Sequence, residues 1–338
     1  MAVPQVIVAS LRGSGTPLLA EATTALGYTP YGTMSEPRPA GRGESPGPGE
    51  VHGLLSAAYG SDRAASLLRR QGGDREHLEA AYQDSVSALW RVWWTRLGQP
   101  VTAASPVDPG LEDRLTRVPD ADLLRLLPAH GCWYVNSLDL QRTDAGLLRL
   151  WQATGQPRIV LHHRDVRDRI ISQIRMLSRP ADRVGSMPEH LVYRDIVSAL
   201  PGMDARITLA LTDPGFPGME EARRCQWLLR HPAVCVITHE ELVGPAHGGT
   251  AEARREALAR LRNATGAPSP TTPLPPPPSP ADHAQDGDGL AVGIWRTYFT
   301  PDHERLLQER HSDLLAPSPR PVSHGSVPGA ERLTARGA

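Results

Sequence analysis

The sequence predicts a single α/β domain built on a parallel β-sheet, and three observations lead to this prediction. Four short apolar runs are spread along the chain, and segments with helical spacing separate them. The composition, 40% hydrophobic and 22% charged, is typical of a globular protein. Short buried strands that alternate with helices indicate a doubly wound parallel sheet covered by helices. A chain of 338 residues is long enough for one such core with long surface loops.

The four apolar runs are the predicted strands. Each is short, lacks helical periodicity and is bounded by turn-forming or polar residues. In chain order they are QVIVAS at 5–10, CWYVN at 132–136, RIVLH at 158–162 and VCVIT at 234–238.

Helices are predicted after the first strand, over 17–26, and then over 51–98 and 301–315. Within the second stretch Trp90, Trp93 and Trp94 have i, i+3, i+4 spacing and so share one helix face. Such a face is most often part of the core. The alternative use is a wall for a hydrophobic or glycosidic ligand.

Three segments are too rich in helix- and strand-breaking residues to join the core. Residues 37–50 form a predicted Pro/Gly loop, and 267–280 a polyproline spacer within the domain. The tail from 316 to 338 is predicted to be disordered. The predicted organisation is therefore one domain over 1–315 followed by that tail.

Composition excludes several function classes. The sequence contains no lysine, so all 36 basic residues are arginine, which rules out lysine Schiff bases, pyridoxal phosphate attachment and the lysine of ordinary P-loop NTPases. Together with 33 prolines and 31 glycines, this indicates a GC-rich, bacterial genome. A net charge of −1 provides no general basic field for nucleic acid.

The location expected for the protein is the cytoplasm. The chain has three cysteines, none in a CxxC pair, which is typical of a reducing compartment. No apolar stretch approaches the roughly 20 residues of a membrane-spanning helix. The first residues run directly into a strand-like segment with no basic region before it, so no signal peptide and no membrane partner are expected. The oligomeric state stays open.

The first candidate site is the loop between the first strand and the first helix. Gly13 and Gly15 allow a ligand to approach the backbone closely, while the hydroxyls of Ser14 and Thr16 can donate hydrogen bonds. Backbone N–H groups at such a helix start bind phosphate or sulfonate without a lysine. The alternative is a plain strand-to-helix turn that binds nothing.

The second candidate site follows the third predicted strand. Arg164 leaves the carboxyl end of that strand, where ligands gather in open α/β sheets, and Ser172 follows eight residues later on a helix. An arginine and a hydroxyl that converge in this way can clamp a monophosphate. The alternative is a structural cluster of Arg and Asp side chains at a helix start, formed here by residues 164–168.

Together the two sites resemble those of the sulfotransferases that use 3′-phosphoadenosine 5′-phosphosulfate (PAPS). Ser14-Gly15-Thr16 is similar to the family's S-G-T loop, which holds the 5′-phosphosulfate. Arg164 and Ser172 match the spacing of R-D-P-R-D-x-x-x-S, whose Arg and Ser hold the 3′-phosphate, although Val166 replaces the proline.

Two weaker landmarks of the family follow in the right order. The strand 234–238 with His239-Glu240-Glu241-Leu242 looks like the family's strand ending in Y-E-D-L, and 293–300 looks like its G-x-W-R/K-x-x-F-T/S box. The resemblance, which spans residues 5 to about 315, implies a P-loop-like sulfotransferase fold. It also implies PAPS as donor, a nucleotide site that includes Gly13, Ser14, Gly15, Thr16, Arg164, Ser172, Trp295 and Arg296, and no metal.

The resemblance leaves the catalytic groups open. Aligning S-G-T places Gly13 where the family has a basic residue, so Arg12, one position earlier, is the predicted replacement that stabilises the leaving charge. Position 18, usually aromatic, is Leu. Residues 286–289 read D-G-D-G where the family has R-K-G, and Arg296 is the cation that could compensate.

The base that deprotonates the acceptor is predicted to be Glu36, because one branch of the family has a Glu soon after the loop. The alternatives are His52, His130 and Asp139, and an exposed loop carboxylate with no catalytic role is the competing interpretation of Glu36. His162-His163 could suggest a metal, but the neighbouring residues supply no ligand set.

Two functions follow from these predictions. The first is transfer of the sulfuryl group of PAPS to a hydroxyl or amine of a small molecule, for which a bacterial specialised metabolite is the expected acceptor class. The second is a lapsed enzyme that binds a 3′,5′-bisphosphate nucleotide but has lost its base and its basic leaving-group residue.

Overall fold

The structure, a computed structural model, describes residues 5–31, 48–69, 75–99, 108–126, 131–155, 157–184, 187–267 and 290–315. Glu36, His130 and the segments 268–280 and 316–338, on which several predictions fall, lie outside these ranges, as does most of 37–50. The predicted domain limits therefore stay predictions.

A parallel sheet forms the centre of the described part. Its strands are β1 (Val6–Ser10), β2 (Thr29–Tyr31), β3 (Gly131–Val135), β4 (Arg158–His163) and β5 (Val234–Thr238). They lie in the order β2-β3-β1-β4-β5, and every neighbouring pair is parallel. The predicted fold class, a parallel sheet flanked by helices, is confirmed.

Helices cover both faces of the sheet. The helices of the described part are α1 (Thr16–Ala25), α2 (Pro48–Tyr59), α3 (Ser61–Arg69), α4 (Arg75–Arg96), α5 (Pro109–Thr116), α6 (Asp120–Leu126), α7 (Ala145–Thr154), α8 (Val166–Leu177), α9 (Ala181–Val184), α10 (Pro188–Ala199), α11 (Met203–Thr212), α12 (Met219–Arg224), α13 (His239–Leu242), α14 (Ala251–Thr265) and α15 (Pro301–His311). Short 3₁₀ turns occupy Gln226–Arg230, Pro245–His247, Ile294–Thr297 and Ser312–Leu315.

The two faces bury alternate residues of each strand, as the pleat requires. Val6 and Val8 of β1 face α1 and α14, whereas Ile7 and Ala9 face the layer that contains α4 and α8. Because both faces are buried, the strands are continuously apolar, which is why the four runs stood out in the sequence.

The chain changes direction across the sheet at β1. The helix after β1 packs on one face and the helix after β4, its neighbour, on the other. In open α/β sheets, ligands bind at the carboxyl ends of two neighbouring strands that are related in this way.

Two local predictions were incomplete. β2 was not predicted, because it is a three-residue edge strand with Pro30 at its centre and carries little periodic signal. The predicted loop 37–50 extends too far, since α2 already begins at Pro48, a residue well suited to a first helical turn.

The tryptophan face predicted on α4 belongs to the core. Trp90 and Trp94 stack with their ring centroids 4.3 Å apart, and both line a small apolar cavity of about 20 Å³ with Trp93 and Trp133. The cavity also contacts Ile7 of β1 and Val135, the last residue of β3.

Candidate active site

The loop after β1 is folded into a cradle. Gly13 and Gly15 have φ angles of +80° and +83°, a conformation that glycine adopts without strain. A Cβ at Gly13 would lie 2.9 Å from the carbonyl oxygen of Arg169 and 3.5 Å from the Cβ of Ser172. The loop is therefore packed directly against the start of α8, so that Gly13 and Ser172, 159 residues apart in sequence, are neighbours.

Several donors of this loop have no partner in the described part of the chain. The N–H groups of Gly13, Gly15 and Thr16 make no hydrogen bond there, whereas the N–H of Ser14 donates to the carbonyl of Leu11. The hydroxyl of Ser14 is fully buried and also unpartnered within the described ranges. An unpaired buried hydroxyl such as that of Ser14 is rare and calls for a ligand or water. With the half-buried N–H groups beside it, the cradle has the donors that an anion needs.

Arg164 ties the two candidate sites together. It is 1% exposed, and its Nη1 donates to the carbonyl of Gly13 at 3.3 Å while its Nη2 donates to the carbonyl of Ala291 at 2.9 Å. Burial lowers the pKa of Arg164, against the opposing effect of Asp168 and Glu240. The guanidinium lies where the motif predicted it, but it binds backbone oxygens from two loops.

The late G-x-W-R segment is held at the same place by Asp168. This buried carboxylate accepts hydrogen bonds from the N–H groups of Gly293 at 2.6 Å and Trp295 at 2.9 Å. Two guanidinium groups lie over the ring of Trp295, with Arg167 at 3.8 Å and the exposed Arg296 at 4.8 Å from its centroid. Asp168 thus has a structural role.

The strand-end segment 239–242 completes the cluster. His239 Nε2 bonds with the carbonyl of Leu290 at 2.8 Å, and Glu240 accepts the N–H of Asp165 at 3.0 Å. All four sequence landmarks therefore meet at the carboxyl edge of β1, β4 and β5.

Arg12 lies beside the cradle and contacts α10 and α12. Its guanidinium, 9% exposed with the rest of the residue, donates from Nη1 to His190 Nε2 at 2.5 Å. Nη1 is also 3.6 Å from a carboxylate oxygen of Glu189, and Nη2 is 3.3 Å from one of Glu221. Its Nε is buried with no partner in the described ranges, so Arg12 keeps one unused donor.

Glu189 is the accessible carboxylate of this group. Its side chain is 40% exposed, and partial burial raises its pKa despite the opposing charge of Arg12. The other two partners of Arg12 already accept hydrogen bonds. His190 Nε2 accepts one from Arg12, and Glu221 accepts one from the N–H of Gly218. Glu189 is therefore the member best placed to take a proton from a ligand.

The remaining predicted bases lie elsewhere or outside the described ranges. His52 is exposed on α2, and Asp139 caps a turn by accepting the N–H of Gln141 and lies 3.8 Å from Arg224. Glu36 and His130 lie outside the described residues, so the prediction for Glu36 stays a prediction.

Sequence reasoning missed Glu189, His190, Glu221 and Arg169. Arg169, which is buried, donates to the carbonyls of Arg12 and Gly218 and so holds the loop to α12. Its pKa is lowered to about 10 by burial. Arg169 sits in a run of Arg and Asp, but no spacing links the other three to the loop, so no local pattern could have indicated them.

Changing Gly15 to Ala is expected to lower the free energy of unfolding by about 1–3 kcal/mol through the strained φ alone. The added Cβ would also lie 2.7 Å from His239 Nδ1. Gly27→Ala is the matched control, since Gly27 has a φ of +86° with no atom within 4 Å of the new Cβ. Urea titration should show a larger loss for Gly15→Ala, and equal losses would contradict the contact with His239.

Acid is expected to destabilise the fold through four buried histidines around the site, His162, His163, His190 and His239. Burial holds the pKa of His162 well below its ordinary value. Burial lowers the pKa of His163 and His190 to about 4 and that of His239 to about 3, from an ordinary 6.5. Between about pH 6.5 and 4 the unfolded chain therefore binds protons that the folded chain does not, so stability falls as pH falls. Each group contributes up to about 1.4 kcal/mol per pH unit in that window.

Urea unfolding at pH 7, 6 and 5 measures this loss. His163→Asn should reduce the slope, and a stability that stays constant from pH 7 to 5 would contradict the burial of these rings in neutral form.

Two findings bear on membranes and metals. None of the helices in the described ranges combines the length and apolar character of a bilayer crossing. Among the same residues, no group of three or more His, Cys, Asp or Glu side chains is arranged to hold a metal ion.

The residues fit PAPS well at one end and less well at the other. The unpaired N–H groups and the orphaned Ser14 hydroxyl suit the phosphosulfate. At the 3′-phosphate position Arg164 already holds two carbonyls, while Ser172 is half-buried and makes no hydrogen bond within the described part. Binding there requires Arg164 to share its donors with the phosphate.

No family model matches the chain, and no curated protein is similar to it in sequence. Solved structures similar to the chain include that of mouse sulfotransferase SULT7A1 complexed with PAP, with 13% identity, coverage of 93% of this chain and 86% of that one, and a TM-score of 0.46. They also include retinol dehydratase in complex with androsterone and the inactive cofactor PAP, with 15% identity, coverage of 92% and 80%, and a TM-score of 0.36. A sulfotransferase is thus among them.

Proposed function

We propose that this protein is a sulfotransferase that moves the sulfuryl group of PAPS to a hydroxyl or amine of a small molecule. One observation carries the proposal: the unpaired donors of the loop 13–16 open at the carboxyl edge of the sheet, next to Arg164 and Ser172. The resemblance of the motifs to PAPS-dependent sulfotransferases supports the same function. A bacterial specialised metabolite is the proposed acceptor class.

The residues of the site have separate roles in this proposal. When bound, PAPS supplies a sulfuryl group on a phosphate leaving group. The N–H groups of Gly13, Gly15 and Thr16 and the hydroxyl of Ser14 hold the phosphosulfate. Arg164 and Ser172 hold the 3′-phosphate. Trp295 and Arg296 are proposed to form the wall of the nucleotide site on the side of α8.

Arg12 and Glu189 are the proposed catalytic groups. The acceptor hydroxyl gives its proton to the Glu189 carboxylate, its oxygen bonds to sulfur, and the electron pair of the broken S–O bond leaves on the bridging oxygen as PAP forms. Arg12 stabilises the charge that develops on that oxygen. Positioning and charge stabilisation of this kind account for most of the catalysis of comparable phosphoryl transfers.

A lapsed enzyme that only binds the nucleotide is the second candidate. The observation in its favour is that Arg12 already has four side-chain partners, Met187, Glu189, His190 and Glu221. Arg12 must break these contacts before its guanidinium can bind a ligand, and breaking them costs free energy.

Incubation with PAPS and a panel of alcohols and amines distinguishes the two candidates. Mass spectrometry should detect products that have gained one SO₃ group, and calorimetry should detect PAP binding. PAP binding without product from any acceptor would favour the lapsed enzyme. The absence of both would overturn the proposal.

Glu189→Gln is expected to lower turnover by about 10²–10⁴-fold, the usual contribution of a general base, while PAP binding is unchanged. Glu304→Gln is the matched control, because Glu304 is a half-exposed carboxylate that also lies 3.5 Å from an arginine, Arg167, on another helix. If Glu189→Gln turned over like the wild type, Glu36 would become the leading candidate for the base.

A further inference from the structure

Three polar side chains form a hydrogen-bonded chain beneath the loop. Ser10 Oγ lies 2.7 Å from Thr16 Oγ1 and 3.0 Å from His162 Nδ1. Ser10 and His162 are buried, while Thr16 is half-buried at the start of α1. The chain therefore connects the interior of the sheet to a hydroxyl at the mouth of the cradle.

We propose that His162 is a positioning residue, which carries its proton on Nδ1 and thereby directs the hydroxyl proton of Thr16 toward an anionic ligand oxygen. The inference rests on the proposed function insofar as the anion is the phosphosulfate of PAPS. The direction in which the hydrogen bonds between His162, Ser10 and Thr16 run is a property of the protein without ligand.

The direction follows from the single proton of each hydroxyl. If Nδ1 is protonated, it donates to Ser10 and Ser10 donates to Thr16. The proton of Thr16 is then left for the ligand. If Nε2 is protonated instead, the order reverses: Ser10 donates to Nδ1, Thr16 donates to Ser10, and the ligand meets only the lone pairs of Thr16.

The surroundings of His162 favour the first arrangement. Its Nε2 is buried with no partner in the described ranges. A proton there would be a buried N–H without an acceptor, which is rarer in proteins than an unsatisfied acceptor. Burial, followed by the neighbouring His239, His163 and Arg164, holds the pKa of His162 well below its ordinary value, so the ring has one proton only.

The arrangement has a consequence for ligand choice. In the described part the hydroxyl of Thr16 makes no hydrogen bond besides that with Ser10, so the hydroxyl proton has no other acceptor there. A group that presents bare anionic oxygens, such as a phosphate or sulfonate, satisfies it. A ligand that presents N–H or O–H groups to the cradle places its donors opposite the donors of the loop, so that no hydrogen bond forms and its binding is disfavoured.

The tautomer of His162 is the direct test. In protein labelled with ¹⁵N-histidine, long-range ¹H–¹⁵N correlation spectra at pH 7 should show protonated Nδ1 and unprotonated Nε2 for His162. A proton on Nε2 would overturn the proposal. This measurement needs neither nucleotide nor turnover, so it is independent of the proposed function.

Ligand binding by variants is the second test, with PAP and inorganic sulfate as probes. Ser10→Ala leaves the Thr16 hydroxyl its own proton but removes the hydrogen bond that orients it, so it should weaken both by about 2- to 10-fold, the equivalent of one neutral hydrogen bond. His162→Leu should have a similar effect, and His162→Asn, whose amide N–H can replace Nδ1–H, should restore much of the affinity. Ser85→Ala is the matched control, a fully buried serine on α4 that bonds with the carbonyl of Ala81.

The outcomes separate the two proposals. Sulfate binding without PAP binding in the wild type would overturn the proposed function. The proposed role of His162 would stand if Ser10→Ala weakened sulfate binding. Unchanged anion binding in a folded Ser10→Ala variant would overturn the proposed role of His162. Binding of neither anion to the wild type would overturn both. If Ser10→Ala does not fold, the tautomer of the wild type decides.

Discussion

Replacing Arg12 with alanine is expected to lower sulfuryl-transfer turnover by about 10²–10³-fold, while affinity for PAP falls much less. The guanidinium stabilises charge that appears only as the S–O bond breaks, and interactions that strengthen in the transition state affect turnover more than binding. Initial rates at saturating PAPS, together with calorimetric titration of PAP, measure the two effects separately.

The loss of a buried ion pair must be separated from this effect. Arg12 and Glu221 are mostly buried, and removing one partner of such a pair costs about 3–5 kcal/mol. Arg12→Ala combined with Glu221→Gln removes the stranded carboxylate and should regain part of the stability but none of the turnover. If Arg12→Ala alone were nearly silent in turnover, the loop's own donors, the Thr16 hydroxyl among them, would hold the anion without Arg12, and Thr16→Val would then weaken PAP binding while Arg12→Ala would not.

Replacing Arg164 with alanine is expected to weaken PAP binding by about 3 kcal/mol or more, roughly 100-fold. Charge-assisted hydrogen bonds are worth about 1.5–3 kcal/mol each, and a guanidinium can make two to one phosphate. The same side chain joins the loop at Gly13 to the segment at Ala291, so both walls of the site loosen with it. Calorimetry with the folded variant measures the loss.

Arg260→Ala is the control for Arg164→Ala. Arg260 also donates to a backbone carbonyl, that of Val236, and to Glu241, but it does so from α14. Its loss should reduce stability and leave PAP affinity unchanged. Wild-type affinity in a folded Arg164→Ala variant would remove Arg164 from the nucleotide site and leave it the structural role that its two carbonyl contacts show.

The sequence predicted the elements whose residues are determined by burial on both faces. β1, β3, β4 and β5 are continuous apolar runs, so their positions were predicted to within two residues. β2 escaped because a short edge strand pairs on one side only and tolerates Pro30 there. The helix after the loop was predictable because Pro17 lies in its first turn.

The candidate site was predictable where its residues follow strand ends. The loop and Arg164 come directly after two neighbouring strands, and the geometry of a parallel sheet brings such positions together. Glu189, by contrast, lies on a helix that no strand end positions, and its contact with Arg12 spans 177 residues. A pairing of that kind depends on how α8, α10 and α12 pack, which no local pattern in the sequence encodes.

The positions of the tryptophans have a spectroscopic consequence. Trp90, Trp93, Trp94 and Trp133 surround the apolar cavity between α4 and the sheet, so their emission reports on whether α4 is docked. Trp295 has two guanidinium groups over its ring, and its backbone N–H donates to the Asp168 carboxylate beside the site. The difference in fluorescence between wild type and Trp295→Phe therefore isolates one local reporter from a bright, ligand-independent background. Folding and occupancy can then be followed in the same cuvette without an added dye.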